Sequence, residues 1–275
     1  MRQVSVTDMG WFDVHAHLTD PRLARIEDEV IARAADAGVT TIISNGLNPA
    51  DNQRVLDLSR RHDIVQPAFG LYPVDAVLLD MLAMGEEYPR DDEPVSATEA
   101  LQWVAAHVEE CVAIGEVGLD RYWVPEALWE KQENIFRQFV QLAMDCDKPL
   151  IIHTRKAERR AFEILVEMQA PRVNWHCYSS KVKFGKQIAA HGHYLSIPAN
   201  ARKAENFTRL IEVLPKDKIL LETDCPYLAP ERGALNEPSN VALTATYMAE
   251  LWDASLEDVE NQVCSNFETL FGFTP

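Results

Sequence analysis

Two histidines in the spacing His15-Ala16-His17, single histidines at His153 and His176, and two carboxylates, Glu116 and Asp224, are the residue types that bind divalent metal ions. Alternate residues of a strand face the same way, so both imidazoles of the His-x-His pair can reach one ion. That pair alone occurs often by chance. Its weight comes from the four other ligand-type residues, because each stands where a short apolar run ends. Four histidines and two carboxylates are too many for one tetrahedral ion. They suit two divalent cations, Mg, Mn or Zn, bridged by a carboxylate. Such a pair lowers the pKa of water from about 15.7 to about 7, so a hydroxide nucleophile is available at neutral pH.

Residues scattered over two hundred positions need a scaffold that gathers them, and the punctuation of the chain supplies one. Apolar runs at Gly10 to His15, Val39 to Ser44, Ile64 to Gly70, Cys111 to Gly115, Leu150 to His153, Arg172 to His176, Tyr194 to Ile197 and Ile219 to Thr223 predict strands. Helical patterns fall between them, at Leu23 to Ala37, Asp51 to Arg61, Thr98 to Glu109, Leu128 to Cys146, Glu158 to Met168, Lys183 to Ala190, Ala204 to Leu214 and Val241 to Trp252. Eight strand-helix alternations predict a single α/β domain over residues 1–275, a (β/α)8 TIM-type barrel whose strand ends converge on one mouth. A doubly wound sheet is disfavoured, since no GxGxxG follows the first strand. Asp75 to Ser96, acidic and proline-containing, reads as a lid-like insertion after the third strand, with a disordered loop as the other reading. A last helix, Ser255 to Phe267, is expected to be capped by Ser255.

Composition narrows the partners. The 275 residues carry 26 Lys and Arg against 43 Asp and Glu, a net charge of −17, which excludes extended nonspecific coating of DNA. A hydrophobic content of 47% is enough for a full core. The longest apolar runs, such as Leu150 to Ile152 and Ile219 to Leu221, fall far short of the roughly 20 residues of a membrane helix, so no membrane association is expected. The opening MRQVSVTDMG has no apolar segment of the secretory kind, and a cytoplasmic location is expected. The five cysteines form no CxxC pair and read as buried small residues. No stable protein partner is implied.

Six segments carry a family resemblance: FDVHAHL (Phe12 to Leu18), IGEVGLD (Ile114 to Asp120), PLIIHTR (Pro149 to Arg155), HCYS (His176 to Ser179), and LLETDCPYLAP (Leu220 to Pro230) followed by NEPSNV (Asn236 to Val241). With these the sequence resembles the TatD-like metal-dependent hydrolases, within the amidohydrolase-type barrels, over nearly the whole chain. The resemblance implies that His15, His17 and Asp224 hold one metal, that His153 and His176 hold the other, and that Glu116 bridges them. It further implies a deoxyribonuclease, often acting from a 3′ end. Removal of D-amino acids from transfer RNA, or hydrolysis of another amide, ester or lactone, is the alternative. The chain departs from the family where many members carry GxHPH: here GLYPVDA puts Tyr72 and Val74 in place of two histidines, at positions expected to line the substrate side.

The ligands suggest roles. Asp224, a carboxylate beside the reacting water, is placed to accept its proton and pass it to the leaving oxygen, with Glu116 as the second catalytic carboxylate. Arg155 and Arg202 are candidates for substrate phosphates, a solvated arginine being the alternative for each. Asp13 reads either as an acceptor orienting a ligand or as a buried structural carboxylate. His62, His107, His191 and His193 read as surface histidines. Cys177 and Cys225 follow ligands but have no base to activate them, so neither is expected to be a nucleophile. Tyr122 and Trp123 are expected to pack under the lid, with stacking on a base as the other reading. The expected substrate is a short single strand or terminus of nucleic acid. A non-catalytic metal-binding or interaction protein is the rival from another class, disfavoured by the intact ligand set.

Overall fold

Residues 10–275 are described by a computed structural model. The expectation about a secretory segment falls on residues 1–9 and so lies outside the described residues. Eight strands follow in sequence order around one sheet, all parallel: β1 (Trp11–Ala16), β2 (Val39–Asn45), β3 (Val65–Phe69), β4 (Ala113–Asp120), β5 (Leu150–Arg155), β6 (Val173–Trp175), β7 (Tyr194–Ile197) and β8 (Ile219–Leu221). Closure comes at β1 and the segment after β8. Asp224 N–H donates to the His15 carbonyl at 2.8 Å, and His17 N–H donates to the Cys225 carbonyl at 2.8 Å. The fold is the (β/α)8 barrel expected from the alternation.

Every residue of β1 and β4 is buried, because the barrel interior lies on one side of each strand and the ring of helices on the other. The helix Glu158–Glu167 shows how the ring is built: Ala161, Ile164 and Leu165, at helical spacing, turn inward, while its charged residues stay outside. The final helix runs Leu256–Phe271, with Ser255 accepting from the Asp258 amide in a reciprocal cap. Besides β4, two further elements differ from expectation. The Leu23 to Ala37 pattern splits into Pro21–Ala24 and Glu27–Asp36. The insertion folds as the short helical turn Asp75–Val77 and the helix Leu78–Ala83, and its arm is pinned by Arg90, whose guanidinium binds the Asp75 carboxylate at 2.9 Å. Among the described residues no helix is long and apolar enough to cross a membrane.

Candidate metal centre

β1, β4 and β5, with the segments that follow β1, β6 and β8, bring the six expected ligands into one cluster. His15 Nε2 and His17 Nε2 are 3.2 Å apart. Asp224 Oδ1 lies 3.6 and 3.5 Å from them, and Glu116 Oε2 lies 3.6 and 3.5 Å from them. Donors bound at about 2.0 to 2.2 Å around one tetrahedral ion stand about 3.3 to 3.6 Å apart along its edges. Most of these separations are too long for hydrogen bonds and right for a shared cation. The other oxygen of Glu116, Oε1, lies 2.9 Å from His153 Nδ1 and 3.2 Å from His176 Nε2. One carboxylate thus serves two donor sets. His176 also comes within reach of His15 and Asp224, its ring stacked on His15 at 3.8 Å between centroids.

Glu116 is not the end of its strand, as Cys111 to Gly115 implied. β4 runs on to Asp120, with a register slip against β5 between Ile114 and Val117 that turns Glu116 inward. Glycines make room for it. A Cβ on Gly70 would stand 2.5 Å from the Glu116 carbonyl oxygen, and one on Gly118 would stand 2.0 Å from that of His153.

Each ring is aimed by a partner at its other nitrogen or at the backbone beside it. His17 Nδ1–H donates to the Asn45 carbonyl at 3.2 Å, leaving Nε2 for a ligand role. His153 meets Asp120 Oδ2 through Nε2 at 3.2 Å, while Asp120 Oδ1 accepts from the amides of Tyr122 and Trp123. Glu222 stands 3.7 Å from His176 Nδ1, accepts from the Cys177 amide at 2.8 Å and takes the Ser196 hydroxyl at 2.6 Å. Asp13 accepts from the amides of His15 and Thr223 and from the Thr223 hydroxyl, tying β1 to β8. Of its two readings, the structural one describes these contacts. Asn45, Asp120 and Glu222 were not singled out from sequence. Glu222 precedes Asp224 by two residues, and Asp120 closes the run that holds Glu116, so both carried the same strand-end signal as the ligands.

The electrostatics of the cluster are divided. Burial would lift the Glu116 carboxyl, yet the surrounding histidines, His176 first, hold it well below the carboxylate range. Burial and the neighbouring His176 drive the His15 imidazole well below its usual value. At His17 burial is outweighed by Asp224, Glu116 and Asp51, which raise it to about 9, and at His153 by Asp120 and Glu116, which also raise it to about 9. Burial, reinforced by Asp224, lifts Glu222 well above the usual range, and burial brings Asp13 to about 7. Carboxylates this deep are stable when paired with protons or cations.

Around the mouth the expectations divide. Tyr72 is brought to the cluster, its ring edge-on to His153 at 5.0 Å and its other neighbours being Tyr88 and Arg90 of the insertion. Val74 is fully buried in the core and does not line the substrate side: the chain turns inward after Pro73. Arg155 is exposed at the rim, with its guanidinium over the Tyr122 ring at 3.9 Å. Arg202 binds Glu250 at 2.5 Å and covers Tyr247, so its partners belong to the helix Val241–Trp252 rather than to the ligand cluster. Trp123 meets Tyr88 edge-on at 5.5 Å, but it and Tyr122 stay 43% and 47% exposed, so the insertion does not cover them. Cys111, Cys225 and Cys264 are buried as expected, whereas Cys146 and Cys177 are half-buried; all five are free thiols. The expectation of a surface histidine fails at His193, which is 1% exposed and bonded to Trp175 and Ala170.

The family model of TatD related DNases matches residues 12–272. Over 269 residues the chain is 32% identical to the uncharacterized metal-dependent hydrolase YabD of Bacillus subtilis, covering 94% of this chain and 98% of that one. It is 29% identical to the deoxyribonuclease TATDN3 of Homo sapiens over 270 residues, 96% of this chain and 95% of that one. Among solved structures, the TatD homolog YjjV of Escherichia coli superposes with a TM-score of 0.83 at 24% identity, covering 98% and 100% of the two chains, which establishes the shared barrel. With its ligand cluster at the barrel mouth and a family match across nearly its whole length, the chain belongs to the TatD family of metal-dependent hydrolases.

Proposed function

We propose that the protein is a two-metal phosphodiesterase, a deoxyribonuclease taking a short single strand or a terminus of nucleic acid. The observation that carries this reading is the division of Glu116 between two donor sets, Oε2 with His15, His17 and Asp224, and Oε1 with His153 and His176. His15, His17, Asp224 and Glu116 would hold one ion, and His153, His176 and Glu116 the other. Four imidazoles favour Zn over Mg, with Mn between them in affinity. When bound, the cations supply Lewis-acid charge at the phosphoryl oxygens and lower the pKa of water.

The remaining chemistry falls to the side chains. The Asp224 side chain is 14% exposed, so one oxygen can join the cluster while the group still meets solvent and substrate. There it accepts the proton of the attacking water and returns it to the leaving oxygen. Its left-handed backbone, φ 55°, is one an aspartate tolerates, and it turns the carboxylate across to β1. Arg155 supplies charge to a phosphate at the rim, and Tyr72, seated against His153, bounds the space for the reacting group. Asn45 and Asp120 hold the His17 and His153 imidazoles in their tautomers, and Glu222, bonded to the Cys177 amide, supports the backbone beside His176.

The test is an incubation of Mn²⁺-loaded protein with single-stranded DNA labelled at either end, beside a D-aminoacyl-tRNA and a chromogenic carboxylic ester. Stepwise release of nucleotides from the DNA is the expected result. Turnover of the ester or the aminoacyl-tRNA with intact DNA replaces the nuclease reading with the carbonyl one.

A further inference from the structure

The acidity of the chain is unevenly spread, and a long basic segment interrupts it near the mouth. Between Glu167 and Glu205 the sequence contains no Asp or Glu, yet it holds six cations: Arg172, Lys181, Lys183, Lys186, Arg202 and Lys203. This segment includes β6 and β7 and the loops that leave their C-terminal ends. The neighbouring segment after β5 adds Arg155, Lys156 and Arg159 against the one carboxylate Glu158. Since β5, β6 and β7 are adjacent in the barrel, the three loops share one side of the rim that carries the ligand cluster.

Charge neutralisation sharpens the contrast. Among the described residues, Arg155, Lys156, Arg159, Lys181, Lys183 and Lys203 make no ion pair and are exposed, whereas Arg160 nearby is held by Glu133, Glu163 and Glu167. On the insertion after β3 the balance is opposite: of the seven carboxylates in Asp75 to Ser96, Asp75, Asp80 and Asp92 are paired with Arg90, Lys131 and Arg54, while Glu86, Glu87, Asp91 and Glu93 make no ion pair among the described residues, and no cation of the insertion is left over. A polyanion entering the mouth is repelled by the insertion and attracted to the β5–β7 side. The helix Val182–Ala190 starts there, between Lys181 and Lys183 with no acidic residue in its first turn, so its dipole adds to the same field. Aromatic faces stand next to the basic loops: Arg155 and Lys156 lie over the Tyr122 ring at 3.9 and 4.6 Å, and Trp123 packs edge-on to Tyr122. Cations interleaved with exposed rings are what a single strand needs, one for phosphates and the other for bases.

We propose that the single strand leaves the ligand cluster across the β5–β7 half of the mouth, with its phosphates on Lys156, Lys181, Lys183 and Lys203 and a base against Trp123. The inference rests on the nucleic-acid reading above and adds to it a direction and a set of contacts. It also reconciles a protein of charge −17 with a polyanionic substrate: the attraction is confined to one arc of the rim.

The experiment compares two double variants of equal charge, K181Q/K183Q on this arc and K216Q/K218Q before β8 at the opposite end of the barrel. The probe is a fluorescent phosphorothioate single strand of about 15 residues, which resists cleavage and is long enough to run beyond the cluster. Circular dichroism confirms that both variants fold. The arc variant is expected to bind about tenfold more weakly at low salt, and its log-log salt slope should be shallower by about 1.4, since each phosphate contact on single strands contributes about 0.7. The other variant should bind within twofold of the native protein. Equal weakening by both doubles, or none by the arc variant while the native protein binds, overturns the path and leaves the nuclease reading standing. No binding by the native protein overturns both.

Discussion

Glu116 Oε1 lies 2.9 Å from His153 Nδ1, and Asp120, four residues further along the same strand, reaches the other nitrogen of that ring at 3.2 Å. β4 thus meets one imidazole from two sides, with Glu116 at one ring nitrogen and Asp120 at the other, while the second oxygen of Glu116 turns to His15 and His17. The strand can do this because the register slip after Ile114 changes which residues face inward. The site is one network, so its parts should fail in distinguishable ways.

Removing the shared carboxylate should empty both positions. Glu116→Ala is expected to lose more than one ion per chain, whereas His153→Ala should chiefly lose one. Metal content per chain, measured by mass spectrometry after desalting, separates the two cases. Single-ion losses in both variants contradict the bridging role.

The orienting carboxylates should matter without touching an ion. Asp120→Asn and Glu222→Gln keep size and shape but change what faces His153 and His176, and each is expected to lower metal affinity by about 10- to 100-fold. Titration against a competing chelator measures it. Unchanged affinity in both variants means the rings are held by packing alone.

The barrel and the clustering of the six expected ligands were legible because both signals are local: an apolar run gives a strand, and a ligand-type residue at or near its end falls at the mouth wherever the strand sits in sequence. The length of β4 was not legible. The apolar run stops before Glu116, whereas the strand continues through Gly115 and Gly118, which admit the close approach of Ile151 and His153. Nor was the burial of His193, which follows from packing beneath Trp175 and Phe162, residues distant in sequence. Val74 was misplaced for a similar reason. Its position was taken from a family motif whose histidines this chain lacks, and its apolar side chain goes to the core.

Arg155→Ala distinguishes the substrates. The guanidinium touches the rim rings and not the ligand cluster, so metal content should hold while phosphodiester turnover falls. A neutral carboxylic ester has no phosphate to lose and should be hydrolysed at nearly the native rate. Assaying both substrates on the one variant decides it: equal losses place Arg155 in the structure of the site rather than at the phosphate.

His193 gives the acid limb of stability a specific source. Its Nδ1 accepts from Trp175 Nε1–H and its Nε2–H donates to the Ala170 carbonyl, a neutral imidazole in a buried niche. Burial lowers it from 6.5 to about 4. Above 6.5 neither the folded nor the unfolded chain protonates this ring, so it costs nothing there. Between 6.5 and about 4 only the unfolded chain takes the proton, and stability drains away as pH falls through that window. The full effect is about 3 kcal/mol. His193→Gln cannot titrate, so the native protein's advantage over it should shrink across this window. Denaturant midpoints at a series of pH values test this, and parallel curves assign the acid sensitivity to other groups.

Asp224→Asn tests the chemistry most directly, because the amide keeps an oxygen that can ligate while losing the capacity to accept a proton. Asp224 Oδ1 stands 3.5 Å from His17 Nε2, within the ligand cluster, so some loss of metal is expected. Saturating Mn²⁺ should restore occupancy. If the carboxylate is the proton acceptor, the single-turnover rate should remain about 10²- to 10⁴-fold below native once the metal is restored, the span typical of a positioned acid-base group. A rate that recovers with added metal means that Asp224 serves only as a ligand, and that the water loses its proton to solvent or to Glu116. Measuring the single-turnover rate against Mn²⁺ concentration separates these cases, since occupancy moves the curve along the concentration axis while loss of the base lowers its plateau.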